Sequence, residues 1–148
     1  MSVDPTPRRM RLTGLHHVTA ICRDLDRTTT FYRDVLGLAL VERGVNDDDP
    51  GTRHFWFGDA QGTPGTLVTF LEYPQIDEGV IGAGSVHHVA FAVESPEEQL
   101  AWRDYLRDRG VECSEVLERG AFRSLYLRDP DGHIVEIATR GPGFSTPG

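Results

Sequence analysis

Residues 15–38, LHHVTAICRDLDRTTTFYRDVLGL, and residues 86–111, VHHVAFAVESPEEQLAWRDYLRDRGV, follow one script. Each runs from an apolar residue through two histidines into an alternating strand, a polar turn, an amphipathic helix and a glycine. Helical spacing is carried by Phe31, Val35 and Leu36 in the first copy and by Leu100, Trp102, Tyr105 and Leu106 in the second, with Gly37 and Gly110 as stops. Each copy then closes on strands and a glycine turn, RHFWFGDAQGTPGTLVTFLEY at 53–73 and RSLYLRDPDGHIVEIAT at 123–139. The pattern predicts an α+β fold of two βαβββ modules, about 12–73 and about 85–140, joined by the linker YPQIDEGVIGAG at 73–84 and followed by a tail at 141–148. At 148 residues the two modules are expected to make one domain, 1–148.

Composition narrows the function classes. A net charge of -8 without any basic stripe argues against nucleic acid, whose phosphates call for clustered Lys and Arg. No apolar run approaches the roughly 20 residues of a membrane helix. The opening MSVDPTPRRMR leads into no apolar segment or small-residue cleavage site, so a cytoplasmic protein is expected. Cys22 and Cys113 stand apart in unrelated contexts, without the spacing of a zinc or redox pair. Asp47, Asp48 and Asp49 read as a turn, and Glu97 and Glu98 as the first turn of a helix, where the dipole favours them.

Strand parity selects the chemistry. Alternate residues of a strand face opposite sides. His16 then goes with Val18, Ala20 and Cys22, and His87 with Val89, Phe91 and Val93, the greasier sets that should pack on the helices. His17 and His88, beside smaller residues, take the open face, as do Glu136 between Val135 and Ile137 and Tyr126 between Leu125 and Leu127. Two neutral imidazoles and one carboxylate can hold one face of an octahedral ion and leave three positions for substrate and oxygen.

With those residues in place the chain resembles the vicinal-oxygen-chelate superfamily, over about 15–144. That family includes glyoxalase I, extradiol dioxygenases, fosfomycin-resistance transferases and bleomycin-binding proteins. The resemblance implies an open, incompletely closed eight-stranded barrel around a metal cleft, with His17, His88 and Glu136 as ligands. The chain is similar above all to hydroquinone-type ring-cleaving dioxygenases, through LHHVTAI, FYRDVLGL, VNDDDP, GDAQGTPGTLVTF and RGAFRSLYLRDPDGHIVEIATRGPGF, though those enzymes have about twice its length. This implies Fe(II), with Mn, Zn or Ni as the other ions considered, a phenolic substrate and O2. It also implies Arg119 and Tyr126 in the substrate pocket, and His16 and His87 as neighbours of the ligands with an acid or base role if they reach it. A homodimer is expected, because two modules make one cleft either within a chain or by exchange between two.

The residues also weigh on the alternatives. Aligning GTLVTFLEY with GHIVEIATR puts Thr69 where a glyoxalase-type lyase has its fourth ligand, and a hydroxyl replaces a carboxylate poorly there. Glu72, three residues on, should face the wrong way. Aligning RHFWFGD with RSLYLRD brings His54 and Trp56 to the cleft face. Those two with Arg119 and Tyr126 suit an aromatic phenol better than the phosphonate of a fosfomycin-type thiol transferase, which needs several cations around its anion. A non-catalytic drug-binding resistance protein is the third alternative, and such proteins generally lack a complete ligand set.

Overall fold

The computed structural model describes residues 10–144, so the reading of the first nine residues and of the tail from 145 onward lies outside the described residues. The chain forms two compact units that meet in sequence at Pro74 and Gln75. The first contains β1 (His17–Cys22), α1 (Leu25–Thr29) running into a π-helical segment (Thr30–Val35), β2 (Ala39–Asn46), β3 (Asp49–Gly58) and β4 (Leu67–Glu72). The second contains β5 (His88–Val93), α2 (Pro96–Asp108), β6 (Leu117–Glu118), β7 (Arg123–Arg128) and β8 (Ile134–Thr139). Both are βαβββ, with open four-stranded sheets ordered β1-β4-β3-β2 and β5-β8-β7-β6. Among the described residues no helix is long and apolar enough to cross a membrane.

In each unit the first strand pairs in parallel with the last, which obliges the chain to leave the sheet through a helix before returning. Capping sets where those helices begin. Asp24 accepts the N–H groups of Asp26 and Arg27. Ser95 accepts that of Glu98, whose own carboxylate accepts the N–H of Glu94. Gly37 and Gly110 end the helical segments at φ of 78° and 74°, values that cost a glycine nothing. The first helix departs from the regular α geometry expected. The hydrogen bond from Leu36 N–H to the Phe31 carbonyl spans five residues, after a run of three threonines with low helix propensity. The Thr30 hydroxyl also donates to the Asp26 carbonyl.

Strand parity shows directly in burial. In the first unit Cys22, Phe55, Phe57, Val68 and Phe70 are buried with Leu25, Phe31, Tyr32 and Leu36 from the helical segments. Tyr32 packs 4.7 Å from Phe70 between ring centroids. In the second, Leu125, Leu127, Val135 and Ile137 are buried, as are Leu106 and Gln99 of α2. The Gln99 amide donates to the carbonyls of Arg123 and Ile137, tying the helix to β7 and β8. Cys22 and Cys113 form no disulfide.

Glu72 does lie on the helix-covered face of its sheet. It accepts both nitrogens of the Arg53 fork at 2.9 and 2.8 Å and the Leu25 N–H at 2.7 Å, so it fastens the end of β4 to the start of α1. The Arg53 bond holds its carboxyl below the ordinary 4.5, against a smaller upward push from burial. A carboxylate whose pKa is lower in the folded state contributes stability above its unfolded value and loses it as the pH falls through the folded one. Glu72→Gln should therefore cost the first unit about 1–2 kcal/mol in urea unfolding near neutral pH, a modest figure because Arg53 is 41% exposed and screened. The two proteins should converge below the carboxylate range; a gap independent of pH would contradict the assignment.

Candidate functional site

Register builds the open face of the second unit's sheet. Glu136 on β8 lies opposite Ala90 on β5 and opposite Tyr126 on β7. His88 and Ser124 belong to the same face, because they stand two residues from Ala90 and Tyr126. Glu136 points away from the helix, yet it is only 3% exposed. Its Oε1 lies 2.8 Å from His88 Nε2, and its Oε2 accepts the Ser124 hydroxyl at 2.8 Å. Ala90 beside it adds no competing polar group. Ser124 is fully buried and was absent from the residues expected at the site. Its signal was there to use, since it lies two residues before Tyr126 on the same strand.

Arg119 and Tyr126, expected together, do meet. Gly120 at φ 84° and the bond from Arg119 N–H to the Phe122 carbonyl make a tight turn between β6 and β7. The turn folds the guanidinium back over the Tyr126 ring at 5.7 Å, with Nη2 3.2 Å from the phenol oxygen. Arg119 Nε also approaches Ser124 Oγ, at 3.4 Å. The Tyr126 ring stands edge-on to His88, with centroids 5.8 Å apart.

The first unit repeats this face with different chemistry. Trp56 occupies the place of Tyr126 and lies 4.8 Å from the His17 ring and 5.0 Å from that of His54. His54 occupies the place of Ser124, and its Nε2 lies 2.9 Å from the Thr69 hydroxyl, which stands where the second unit has Glu136. Thr69 is wholly buried and bonded also to the Thr19 hydroxyl at 2.7 Å, so its polar capacity is taken up inside the unit. Burial holds the His54 imidazole below its ordinary pKa, and the His17 ring adds to the effect.

His16 and His87 differ from the parity expectation. The strands begin at His17 and His88, so their predecessors are not constrained to the helix side, and both are exposed. Each sets its Nδ1 3.0 Å from the Nδ1 of the next histidine, with the two rings roughly perpendicular. One ring of each pair must donate and the other accept. If Nε2 of His17 or His88 is a ligand atom, its Nδ1 carries the proton and its neighbour accepts.

Among the described residues the one group of three His, Cys, Asp or Glu donor atoms within 4.8 Å of one another is that of Asp129, Asp131 and His133. The Asp129 carboxylate accepts the N–H groups of Asp131 and His133 and lies 2.6 Å from the His133 ring, so this cluster closes the turn between β7 and β8.

Residues 14–137 match the Glyoxalase/Bleomycin resistance protein/Dioxygenase superfamily. The chain is 43% identical over 141 residues to MhqE of Bacillus subtilis (strain 168), provisionally named a ring-cleaving dioxygenase, covering 93% of this chain and 46% of that protein. It is 33% identical over 140 residues to the chlorohydroquinone/hydroquinone 1,2-dioxygenase of Sphingobium indicum, covering 88% and 42%. A crystal structure of a Bacillus subtilis protein, also provisionally named a dioxygenase, superposes with a TM-score of 0.80 at 38% identity, over 88% of this chain and 41% of that one. The chain thus spans less than half the length of these relatives. The duplicated βαβββ modules and the extent of the match agree: the chain belongs to the glyoxalase/bleomycin resistance/dioxygenase superfamily.

Proposed function

We propose that the chain is an Fe(II)-dependent ring-cleaving dioxygenase acting on a hydroquinone- or catechol-like phenol, with His17, His88 and Glu136 as the protein ligands. The observation that carries the reading is the contact of the buried Glu136, through Oε1, with Nε2 of the half-buried His88 at 2.8 Å. Two donors bound side by side to one ion at about 2.1 Å each sit about 3 Å apart, so these atoms fit a shared ion without rearrangement. Their donor types, imidazole nitrogen and carboxylate oxygen, suit Fe(II) and equally Mn, Zn or Ni. His17, with its Nδ1 engaged by His16 as that of His88 is by His87, completes the set. Such an ion, when bound, favours the phenolate form of a substrate and provides a path for electrons between the ring and O2.

The remaining roles follow from the chain's own groups. Arg119 presents a permanent positive charge for an anionic substrate oxygen, and by donating to the Tyr126 oxygen it leaves the phenol proton free to point toward the developing products. Trp56 and Tyr126, flanking His17 and His88, supply aromatic walls for a flat ring, with His54 beside Trp56. His16 and His87 orient the ligand rings through Nδ1. In this reading both modules act as one domain, His17 comes from the same chain or from a second copy, and the assembly is a homodimer with two centres. A cytoplasmic location accords with cysteines that form no disulfide.

Protein purified without chelator should carry about one divalent ion per chain, and Glu136→Ala or His88→Ala should carry almost none. Equal loading of these variants and the parent would sink the ligand assignment. After anaerobic Fe(II) loading, oxygen consumption with a panel of hydroquinones and catechols is the decisive assay. Turnover of a thiol with an epoxide, and no oxygen uptake with any phenol, would replace the reading by a transferase. Drug binding with neither metal nor turnover would replace it by a sequestering protein.

With an active substrate in hand, Arg119→Met should raise KM while Tyr126→Phe should chiefly lower kcat, by roughly 100-fold if its proton is transferred in the slow step. Unchanged constants in both variants would remove these side chains from the pocket.

A further inference from the structure

The duplication singles out Ser124. His54 and Ser124 hold equivalent positions, and each contacts the residue at the equivalent point of its own last strand, Thr69 in the first unit and Glu136 in the second. The neighbouring strand then treats the two differently. In the first unit Thr19 supplies a second bond to Thr69; in the second the equivalent residue is Ala90, which supplies none. Glu136 therefore has one oxygen tied to the neighbouring strand by Ser124 and one turned toward His88.

Proton bookkeeping fixes the direction of the tie. Arg119 Nε approaches Ser124 Oγ as a donor, leaving the hydroxyl proton for Glu136 Oε2. A serine with no exposure, in a unit whose other fully buried strand side chains are largely apolar, is costly unless that bond is made.

We propose that Ser124 is a positioning residue that holds Oε2 of Glu136, so that the carboxylate offers a metal ion one oxygen, Oε1, and not two. The inference rests on the ligand assignment above. Its consequence is stoichiometric: three one-atom protein ligands leave three of six positions open, whereas a two-oxygen carboxylate leaves two.

The test uses the intact chain loaded anaerobically with Fe(II). Infrared difference spectra of the parent, with and without the ion, should show the wide separation of antisymmetric and symmetric carboxylate stretches that marks one-oxygen attachment. In Ser124→Ala the separation should narrow and the affinity for Fe(II), from equilibrium dialysis, should fall roughly 10–100-fold. Ser124→Thr, which keeps the hydroxyl, should restore the wide separation. A parent spectrum of the narrow kind overturns the proposal without any variant. So does a Ser124→Ala protein with the parent's spectrum and affinity. A parent that binds no Fe(II) overturns the ligand assignment itself, an outcome distinct from the other two.

Discussion

Parallel pairing of the first strand with the last, β1 with β4 and β5 with β8, imposes most of what each unit does. It forces the helical crossover, which covers one face of the sheet and leaves the other open. It also brings residues distant in sequence into lateral register. Ala90 lies opposite Glu136 only because β5 and β8 run side by side, and His88 reaches the carboxylate for the same reason. A slip of one residue between these strands would turn Glu136 toward Leu106 and Gln99 of α2 and strand a charge in the apolar layer.

The buried carboxylate is a poor choice for stability alone. Removing such a charge from water costs several kcal/mol by general estimate, and a single imidazole and a hydroxyl return only part of it. The first unit shows the cheaper solution at the same point, a threonine whose hydroxyl is satisfied by Thr19 and His54. Glu72 shows what a carboxylate does here when its work is structural: it binds a guanidinium with both oxygens and caps a helix. The contrast between Glu72 and Glu136 separates the two uses of one residue type by their hydrogen bonds.

Much of this is legible in the sequence. The repeated His-His strand announced the duplication, and two-residue periodicity correctly divided Val135 and Ile137 from Glu136, and Leu125 and Leu127 from Tyr126. Parity failed at His16 and His87, because it governs residues inside a strand and these precede one. The Arg119–Tyr126 contact depends on a turn around Gly120, and family resemblance supplied it where periodicity had nothing to say. The bonds of Ser124 and of Thr19, and the π-helical segment, escape the pattern for a common reason: each depends on which polar group satisfies which, and hydrophobic patterning carries no record of hydrogen-bond partners.

Thr69 has a further consequence, in charge balance. In the proposed site two neutral imidazoles and one carboxylate would return a single negative charge to a dication and leave one positive charge uncompensated. A second carboxylate at the position of Thr69 would have cancelled it. The proposed centre would thus be left one charge short by its donor set, and an anion arriving from outside, such as a deprotonated ring oxygen, would make it neutral.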